Sequence, residues 1–204
     1  MATETVETFN QIHHDQFYTE NNHLYSKKGI DYFEQNVIIY LCLIKALAQI
    51  AILSTSQSIA QRIPTSYLTH RQIQNALNDM WGKSAYVDEA KRIFKNMSQP
   101  DQIGYTAMIN CYGLNGMGNE AVELFRQMPT SLINDFTYVC VLNACSHSGL
   151  VDVARSIFNT IQIKSPIIYT TMVDCFSRAA AFEQAEKLIN QFERDHVPVL
   201  PMHS

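Results

Sequence analysis

The feature that most constrains this chain is an internal repeat of two apolar quartets separated by a short turn. In residues 105–128 the first quartet consists of Tyr105, Met108, Ile109 and Tyr112. The second quartet follows the turn and consists of Ala121, Leu124, Phe125 and Met128. In both quartets the side chains stand at i, i+3, i+4 and i+7, the spacing that gathers apolar groups on one helix face. This stretch therefore predicts two amphipathic helices folded back on each other.

The same pattern recurs four more times in register. The first quartet opens again at Tyr40, Gln74, Tyr138 and Tyr169, and the second at Ser56, Ala90, Ala154 and Ala185. The first quartets, at positions 40, 74, 105, 138 and 169, are 34, 31, 33 and 31 residues apart. Because a two-helix unit of this size cannot bury both faces alone, the units must stack on each other. The sequence predicts an all-α fold, an α-solenoid of about five helix-turn-helix repeats of 31–34 residues.

The register also sets the repeat boundaries. The repeats span 37–70, 71–101, 102–134, 135–165 and 166–199. Residues 1–36 form an acidic, degenerate or partial repeat region, in which residues 29–33 are a candidate for the tail of a second helix. Residues 200–204 open a truncated repeat. Because the chain stops inside that repeat, we expect Leu188, Ile189 and Phe192 to lack a covering neighbour.

Two positions within the repeats lead to local predictions. The turn between the helices is glycine in two repeats and alanine in three: Gly116, Gly149, Ala51, Ala85 and Ala180. If this turn requires a positive φ, alanine is strained there. Asn78 stands where the other repeats place Ile, Leu or Val. It must find hydrogen-bond partners or cost about 1–3 kcal/mol.

Composition limits the classes of function. Residues 37–204 carry 13 basic and 13 acidic side chains, so nonspecific attraction to nucleic acid is expected to be weak. The net charge of −4 comes from residues 1–36, where Lys27 and Lys28 face six acidic residues. The five cysteines are odd in number and lie mostly on apolar helix faces. They indicate buried, reduced thiols in an intracellular protein rather than a disulfide framework.

Neither a membrane span nor a targeting segment is predicted. The most apolar run, residues 37–53, is interrupted by Lys45 and Gln49 and falls short of the ~20 residues that a spanning helix needs. The acidic N-terminal region has the wrong charge for a transit peptide. On this evidence the protein is cytoplasmic, or its natural start is missing.

A period in the low thirties fits two helical-repeat families. The tetratricopeptide pattern requires Trp, a Leu-Gly pair and Tyr in the first helix, but the only tryptophan, Trp81, stands in the place of the Tyr. The place of the glycine is taken in the five repeats by Ile44, Asn78, Ile109, Leu142 and Val173. The segments IQNALNDMWGK, VDEAKRIFKNMSQPD, YTAMIN, EAVELFRQM and IYTTMVDCFSRA instead resemble the pentatricopeptide repeat family. The resemblance covers residues 37–199, and the repeat lengths look like the plant-type class with mixed short and long repeats.

The resemblance implies single-stranded RNA as the partner, bound along the first helices with one base per repeat. It also implies a role in organellar RNA processing or editing, a mitochondrial location, and other RNA-processing proteins as partners. The family reads each base with the residue after the opening Tyr and the last residue of the repeat. Asn75 with Asp101 resembles the family's uridine pair, and Thr106 with Asn134 its adenosine pair, together 5′-UA. Thr170 has a suitable type for a reader, whereas Leu41 and Val139 offer a base no hydrogen bond.

Further side chains lie on the same helix face. Phe136 occupies the position that sandwiches bases in the family, although packing between repeats would explain it equally well. Three basic residues stand at the ends of first helices, on the same face as the reading positions: Lys83, His147 and Arg178. Their positive charge suits them to contact phosphate groups. The alternative for these three is that an exposed helix face is simply polar.

Enzyme chemistry is not predicted. The His-x-Glu and Cys-x-x-Cys signature of zinc deaminases is missing, and the spacing of Cys140, Cys145 and His147 matches no zinc module. We therefore expect no metal, no cofactor and no small-molecule substrate. The second functional hypothesis is a protein-binding helical-repeat scaffold, which the neutral charge and the two aliphatic reading positions favour.

Overall fold

A computed structural model describes residues 27–196, and side chains within residues 36–195. In this range there are ten α-helices, one short 3-10 helix at Thr130–Leu132, and no β-strand. The helices are α1 Lys27–Ile50, α2 Leu53–Ala60, α3 Arg71–Lys83, α4 Val87–Lys95, α5 Gln102–Leu114, α6 Gly118–Gln127, α7 Asp135–His147, α8 Val151–Thr160, α9 Pro166–Arg178 and α10 Phe182–His196. The predicted all-α helical-repeat fold is confirmed. Odd-numbered helices are the first helices of the repeats, and even-numbered helices are the second.

The first helices begin where the register places them, with one exception. Helices α3, α5, α7 and α9 start at the first residue of repeats 71–101, 102–134, 135–165 and 166–199. Helix α1 instead starts at Lys27 and runs through the expected boundary between residues 36 and 37. Residues 29–33 thus belong to α1 and not to a separate second helix, because no glycine or proline between Ile30 and Ile50 interrupts the helix. Residues 1–26 and 200–204 lie outside the described range.

The described residues form two compact bodies, an N-terminal body that ends at Cys111 and a C-terminal body that begins at Tyr112. In the N-terminal body α3 packs against α1 and α4, and α2 contacts α1 and α3. The core of this body contains fully buried aliphatic side chains from α1 and α3, among them Leu43, Ile44 and Ile73. Gly82 permits a close approach to Cys111, since a Cβ at position 82 would stand 2.7 Å from the Cys111 Cβ.

The C-terminal body repeats this arrangement. Helix α7 packs against α6, α8 and α9, and α9 packs against α8 and α10. Gly113 has the same relation to Ala144 that Gly82 has to Cys111, with 2.8 Å from an added Cβ to the Ala144 Cβ. In the next repeat Ser146 replaces the glycine, and its hydroxyl donates to the Asp174 carboxylate at 3.4 Å. Adjacent first helices therefore approach closely through small residues at one register position.

A Phe–Tyr contact recurs between successive repeats. The Phe of a second helix meets the opening Tyr of the next first helix, with ring centroids 5.3 Å apart for Phe94–Tyr105, 5.8 Å for Phe125–Tyr138 and 5.5 Å for Phe158–Tyr169. Offset and edge-to-face aromatic pairs contribute about 0.5–1.5 kcal/mol beyond the area they bury. These pairs join one repeat to the next.

The expectation that three side chains of α10 lack a covering neighbour is wrong for two of them. Leu188 is buried, and the Phe192 ring packs against Tyr169 at 5.0 Å, because both face the partner helix α9 of their own repeat. Ile189 is exposed. It occupies the register position of Phe94, Phe125 and Phe158, whose rings pack on the Tyr of a following repeat.

The turn prediction is confirmed at all five positions. Gly116 and Gly149 have φ of 71° and 69°. The three alanines at the same place adopt the left-handed region as well, with φ of 53°, 58° and 54° for Ala51, Ala85 and Ala180. A left-handed backbone costs an L-residue about 1–2 kcal/mol, so three repeats carry strain that two avoid.

Asn78 is fully buried in α3, and neither its Nδ2 nor its Oδ1 has a hydrogen-bond partner among the described residues. Of the two outcomes predicted for this residue, the energetic cost of about 1–3 kcal/mol therefore applies.

No helix in the described part of the chain is long and apolar enough to cross a bilayer.

Candidate nucleic-acid interface

In each of the first four repeats, the last residue immediately precedes the first helix of the next repeat and stands at its N-cap. The Asp101 carboxylate accepts a hydrogen bond from the Gly104 backbone N–H at 2.9 Å. Asn134 caps α7 in the same way, since its Oδ1 accepts from the Thr137 backbone N–H at 3.0 Å. Asp and Asn are favoured at N-caps because one side-chain oxygen satisfies a free N–H of the first turn. Helix capping alone therefore explains why Asp stands at position 101 and Asn at position 134, without any bound ligand.

Capping by one oxygen leaves the other side-chain atom available. In Asp101 the Oδ1 also accepts from the Asn75 Nδ2 at 3.0 Å, and Oδ2 has no hydrogen-bond partner among the described residues. In Asn134 the Oδ1 also accepts from the Thr137 hydroxyl at 3.1 Å, which leaves the Nδ2 amino group. The remaining atom is thus an acceptor at position 101 and a donor at position 134.

The structure brings Asn75 and Asp101 together. Asn75 is buried in α3, and its Oδ1 has no hydrogen-bond partner in the described part of the chain. This oxygen faces Gly104, where an added Cβ would stand only 2.9 Å away. Gly104 therefore makes room for the Asn75 amide, which is held in place by its bond to Asp101.

The two threonines at the reading position are bonded within their own helices. Thr106 is buried, and its hydroxyl donates to the carbonyl of Gln102 at 2.8 Å. Thr170 is exposed and donates to the carbonyl of Pro166 at 2.9 Å. Both hydroxyl protons are engaged, so each side chain can only accept a further hydrogen bond.

The basic side chains predicted to contact phosphate end three first helices. Lys83 Nζ lies 2.7 Å from Asp79 Oδ2, and Arg178 Nε lies 2.7 Å from Asp174 Oδ2. His147 is exposed at the end of α7. A cation in the last turn also stabilises the negative end of the helix dipole, so these positions have a structural explanation of their own. Exposed ion pairs are worth only about 0–1 kcal/mol, so both cations can exchange partners at little cost.

A repeated apolar position was only partly recognised from the sequence. Phe136, the second residue of α7, is exposed, with 61% of the residue accessible. The residues at the same register position are exposed to a similar extent, 55–62%: Ile38, Ile103 and Ile167. Repeat 71–101 has Gln72 at this place. The packing alternative for Phe136 predicts burial, which this exposure does not support. In the sequence, this exposed position could have been found from the large aliphatic residue that stands two positions before the opening Tyr of a repeat.

Three buried cysteines have raised pKa values. Burial raises the pKa of the Cys111 and Cys145 thiols to about 12 and also raises the pKa of Cys175. Protonated thiols are poor nucleophiles and poor metal ligands. Within the described residues, no group of three or more His, Cys, Asp and Glu side chains is placed to hold a metal ion.

Comparison with known proteins is consistent with this geometry. The model of the PPR repeat family matches residues 100–147, and the PPR repeat model matches residues 136–164 and 167–197. A mitochondrial pentatricopeptide repeat-containing protein of Arabidopsis thaliana is 33% identical over 135 residues, 65% of this chain and 21% of the relative. The chain belongs to the pentatricopeptide repeat family.

Two further relatives extend the coverage of the chain. A second Arabidopsis thaliana pentatricopeptide repeat-containing protein is 31% identical over 180 residues, which is 82% of this chain and 29% of that protein. A third protein from the same plant, named as a putative pentatricopeptide repeat-containing protein and as mitochondrial, is 28% identical over 202 residues, 95% of this chain and 27% of that protein. The chain thus spans between 21% and 29% of the length of these pentatricopeptide repeat relatives.

Proposed function

We propose that this chain binds single-stranded RNA along the exposed faces of its first helices, one base per repeat, as the recognition part of organellar RNA processing or editing. The observation that carries the proposal is the exposed apolar position shared by Ile38, Ile103, Phe136 and Ile167. Single exposed apolar residues are common on proteins, but four at one register position form a pattern. A flat base gains about 1–3 kcal/mol by stacking on an aromatic side chain such as Phe136.

The capping geometry supports base selection next to this apolar position. The central Watson–Crick atom of uracil is an N–H donor, which matches the remaining acceptor of Asp101. The corresponding atom of adenine is an unprotonated nitrogen, which matches the remaining donor of Asn134. In this proposal the cap fixes which side-chain atom is left for the base, and Asp or Asn at that place determines whether it accepts or donates.

Lys83, His147 and Arg178 supply phosphate contacts in this proposal. The first and last already have carboxylate partners, so binding RNA requires Asp79 and Asp174 to release them. This exchange, together with the balanced charge of residues 37–204, predicts modest affinity and few released counterions.

We also propose that the protein is mitochondrial and that it belongs to the plant-type class with mixed short and long repeats. Two of the relatives are named mitochondrial, which favours that organelle over the cytoplasm. Binding rather than catalysis is the proposed activity, and other RNA-processing proteins are proposed partners.

A protein-binding scaffold is the second candidate, and a specific observation favours it. The reading positions of two repeats are aliphatic, Leu41 and Val139, and Thr106 at a third is buried with its proton engaged. A helix face without base-reading side chains can still bind a protein partner through the same exposed apolar side chains.

A salt titration separates the two candidates. We expect wild-type protein to bind single strands containing 5′-UA and to lose affinity as salt rises. Lys83→Gln with Arg178→Gln is expected to reduce the slope of log K against log salt by about 0.7 per lost contact. The matched control is Lys95→Gln with Lys187→Gln, two exposed lysines on second helices. No binding, or equal slopes for both double variants, would favour the scaffold.

A further inference from the structure

A cavity of about 630 Å³ lies in the N-terminal body where α2, α3 and α4 meet. Its walls include Ala60, Gln74, Leu77, Trp81 and Ile93. The volume is within the range of roughly 300–1,000 Å³ that small-molecule sites occupy.

The repeat register explains why this cavity exists. Between later repeats, the corresponding space contains the rings of a Phe–Tyr pair, as in Phe94–Tyr105 and Phe158–Tyr169. Between repeats 37–70 and 71–101, Ala60 takes the place of the Phe and Gln74 the place of the Tyr. Both rings are therefore missing at this junction, and the two residues that replace them line the cavity.

We propose that this cavity is a docking site for a phenylalanine or tyrosine side chain of a partner polypeptide. The shape argument comes from the chain itself, which fills the equivalent space elsewhere with these two residue types. Trp81 and Tyr86 at the wall meet edge to face at 5.6 Å and offer aromatic surface to an entering ring. An added ring in such a cluster makes the contacts that the Phe–Tyr pairs make in the other repeats.

The polar part of the lining fits an uncharged polypeptide segment. Gln57, Gln61 and Asn96 contribute carboxamides, which can donate to and accept from a peptide main chain. The lining charges Glu89 and Arg92 are paired with each other, with Arg92 Nε donating to Glu89 Oε2 at 3.0 Å. The site thus presents no unpaired charge to its occupant, and a charged residue next to the ring has no counter-ion there.

The site is separate from the proposed RNA face. A helix turns about 100° per residue, which places Gln74, Leu77 and Trp81 on the opposite side of α3 from Asn75 and Lys83. Occupation of the cavity and binding of RNA can therefore be measured independently, and the proposal does not depend on the proposed function.

The sole tryptophan of the chain, Trp81, provides the readout. The probes are N-acetyl-phenylalaninamide and 4-methylphenol, followed by tryptophan emission and calorimetry. We expect saturable binding of both probes to the wild type. The variant Ala60→Phe with Gln74→Tyr rebuilds the pair, and we expect it to weaken probe binding by at least about tenfold and to raise the melting temperature.

The C-terminal body offers a matched gain-of-site control. Phe125→Ala with Tyr138→Gln removes an equivalent pair, and we expect it to add a second probe site. Absence of probe binding to the wild type, or equal binding to the wild type and the filled variant, would overturn the proposal. Binding of 4-methylphenol without the blocked amino acid would also overturn it, because the site would then accept a free ring but no polypeptide.

Discussion

At the scale of single residues, the last position of repeats 71–101 and 102–134 combines helix capping with the proposed reading of a base. Asp101 and Asn134 cap a helix with one oxygen and leave one atom of defined hydrogen-bonding character. The resemblance to known repeats assigned these residues to base reading, but their capping role depends on where the next helix begins. The buried Oδ1 of Asn75 and its contact with Gly104 were not predicted, because they depend on how two repeats pack together.

Asn78 is the residue whose replacement should stabilise the fold most simply. Asn78→Leu removes two buried polar atoms that have no hydrogen-bond partner in the described part of the chain and keeps the branched arrangement of four non-hydrogen atoms. We expect the free energy of unfolding to rise by about 1–3 kcal/mol, measured by urea denaturation. Leu142→Asn, at the same register position in α7, is the reciprocal control and should destabilise. An unchanged or lower urea midpoint for Asn78→Leu would show that the amide is satisfied.

The cysteines give a prediction that depends on pH. Cys42 is exposed and the other four thiols are buried, so one thiol per chain should react quickly with an aromatic disulfide reagent at mildly alkaline pH. Burial holds the pKa of Cys111 and Cys145 at about 12, against 9.0 for a free thiol. The folded state therefore keeps protons that the unfolded state releases, and stability should fall as pH rises from about 9 toward 12. Rapid reaction of several thiols in the folded protein would contradict this assignment.

At the scale of helices, the short turn inside each repeat is the most predictable element. Its left-handed conformation followed from glycine at two of five equivalent positions, because few residues adopt it without cost. The start of α1 was less predictable, since the repeat period suggested a boundary that no helix-breaking residue enforces. The exposure of Ile38, Ile103 and Ile167 at one register position was missed because apolar periodicity does not distinguish a covered position from an uncovered one.

Exchanging glycine and alanine in this turn tests the strain directly. Ala85→Gly should stabilise the protein by about 0.5–1 kcal/mol, because relief of the left-handed strain exceeds the entropy that glycine adds to the unfolded chain. Gly116→Ala should destabilise by a similar amount, and no steric term enters since an added Cβ would meet nothing within 4 Å. Thermal melts of both variants measure the difference. If both changes shift the melting temperature in the same direction, turn strain is not the cause.

At the scale of the whole molecule, binding cannot rest on net charge. Residues 37–204 are neutral, and Lys83 and Arg178 are already paired with carboxylates. In the proposed RNA binding, selectivity must therefore come from stacking and from the side-chain atoms that do not cap a helix. This is a stricter requirement than electrostatic attraction, because a change of one atom type should change the preferred base.

The most direct test is competition between single-stranded RNAs that differ only in the base opposite repeat 71–101. Wild-type protein should prefer U over C there by about 1–2 kcal/mol, the order of one good base-edge contact. Asp101→Asn keeps the cap but replaces the free acceptor with a donor, so it should reverse the preference to C over U. Asn134→Asp should shift the preference of repeat 102–134 from A toward G by the same logic. If the wild type and Asp101→Asn rank the competitors identically at one salt concentration, this helix face does not read bases and the scaffold becomes the better account of the chain.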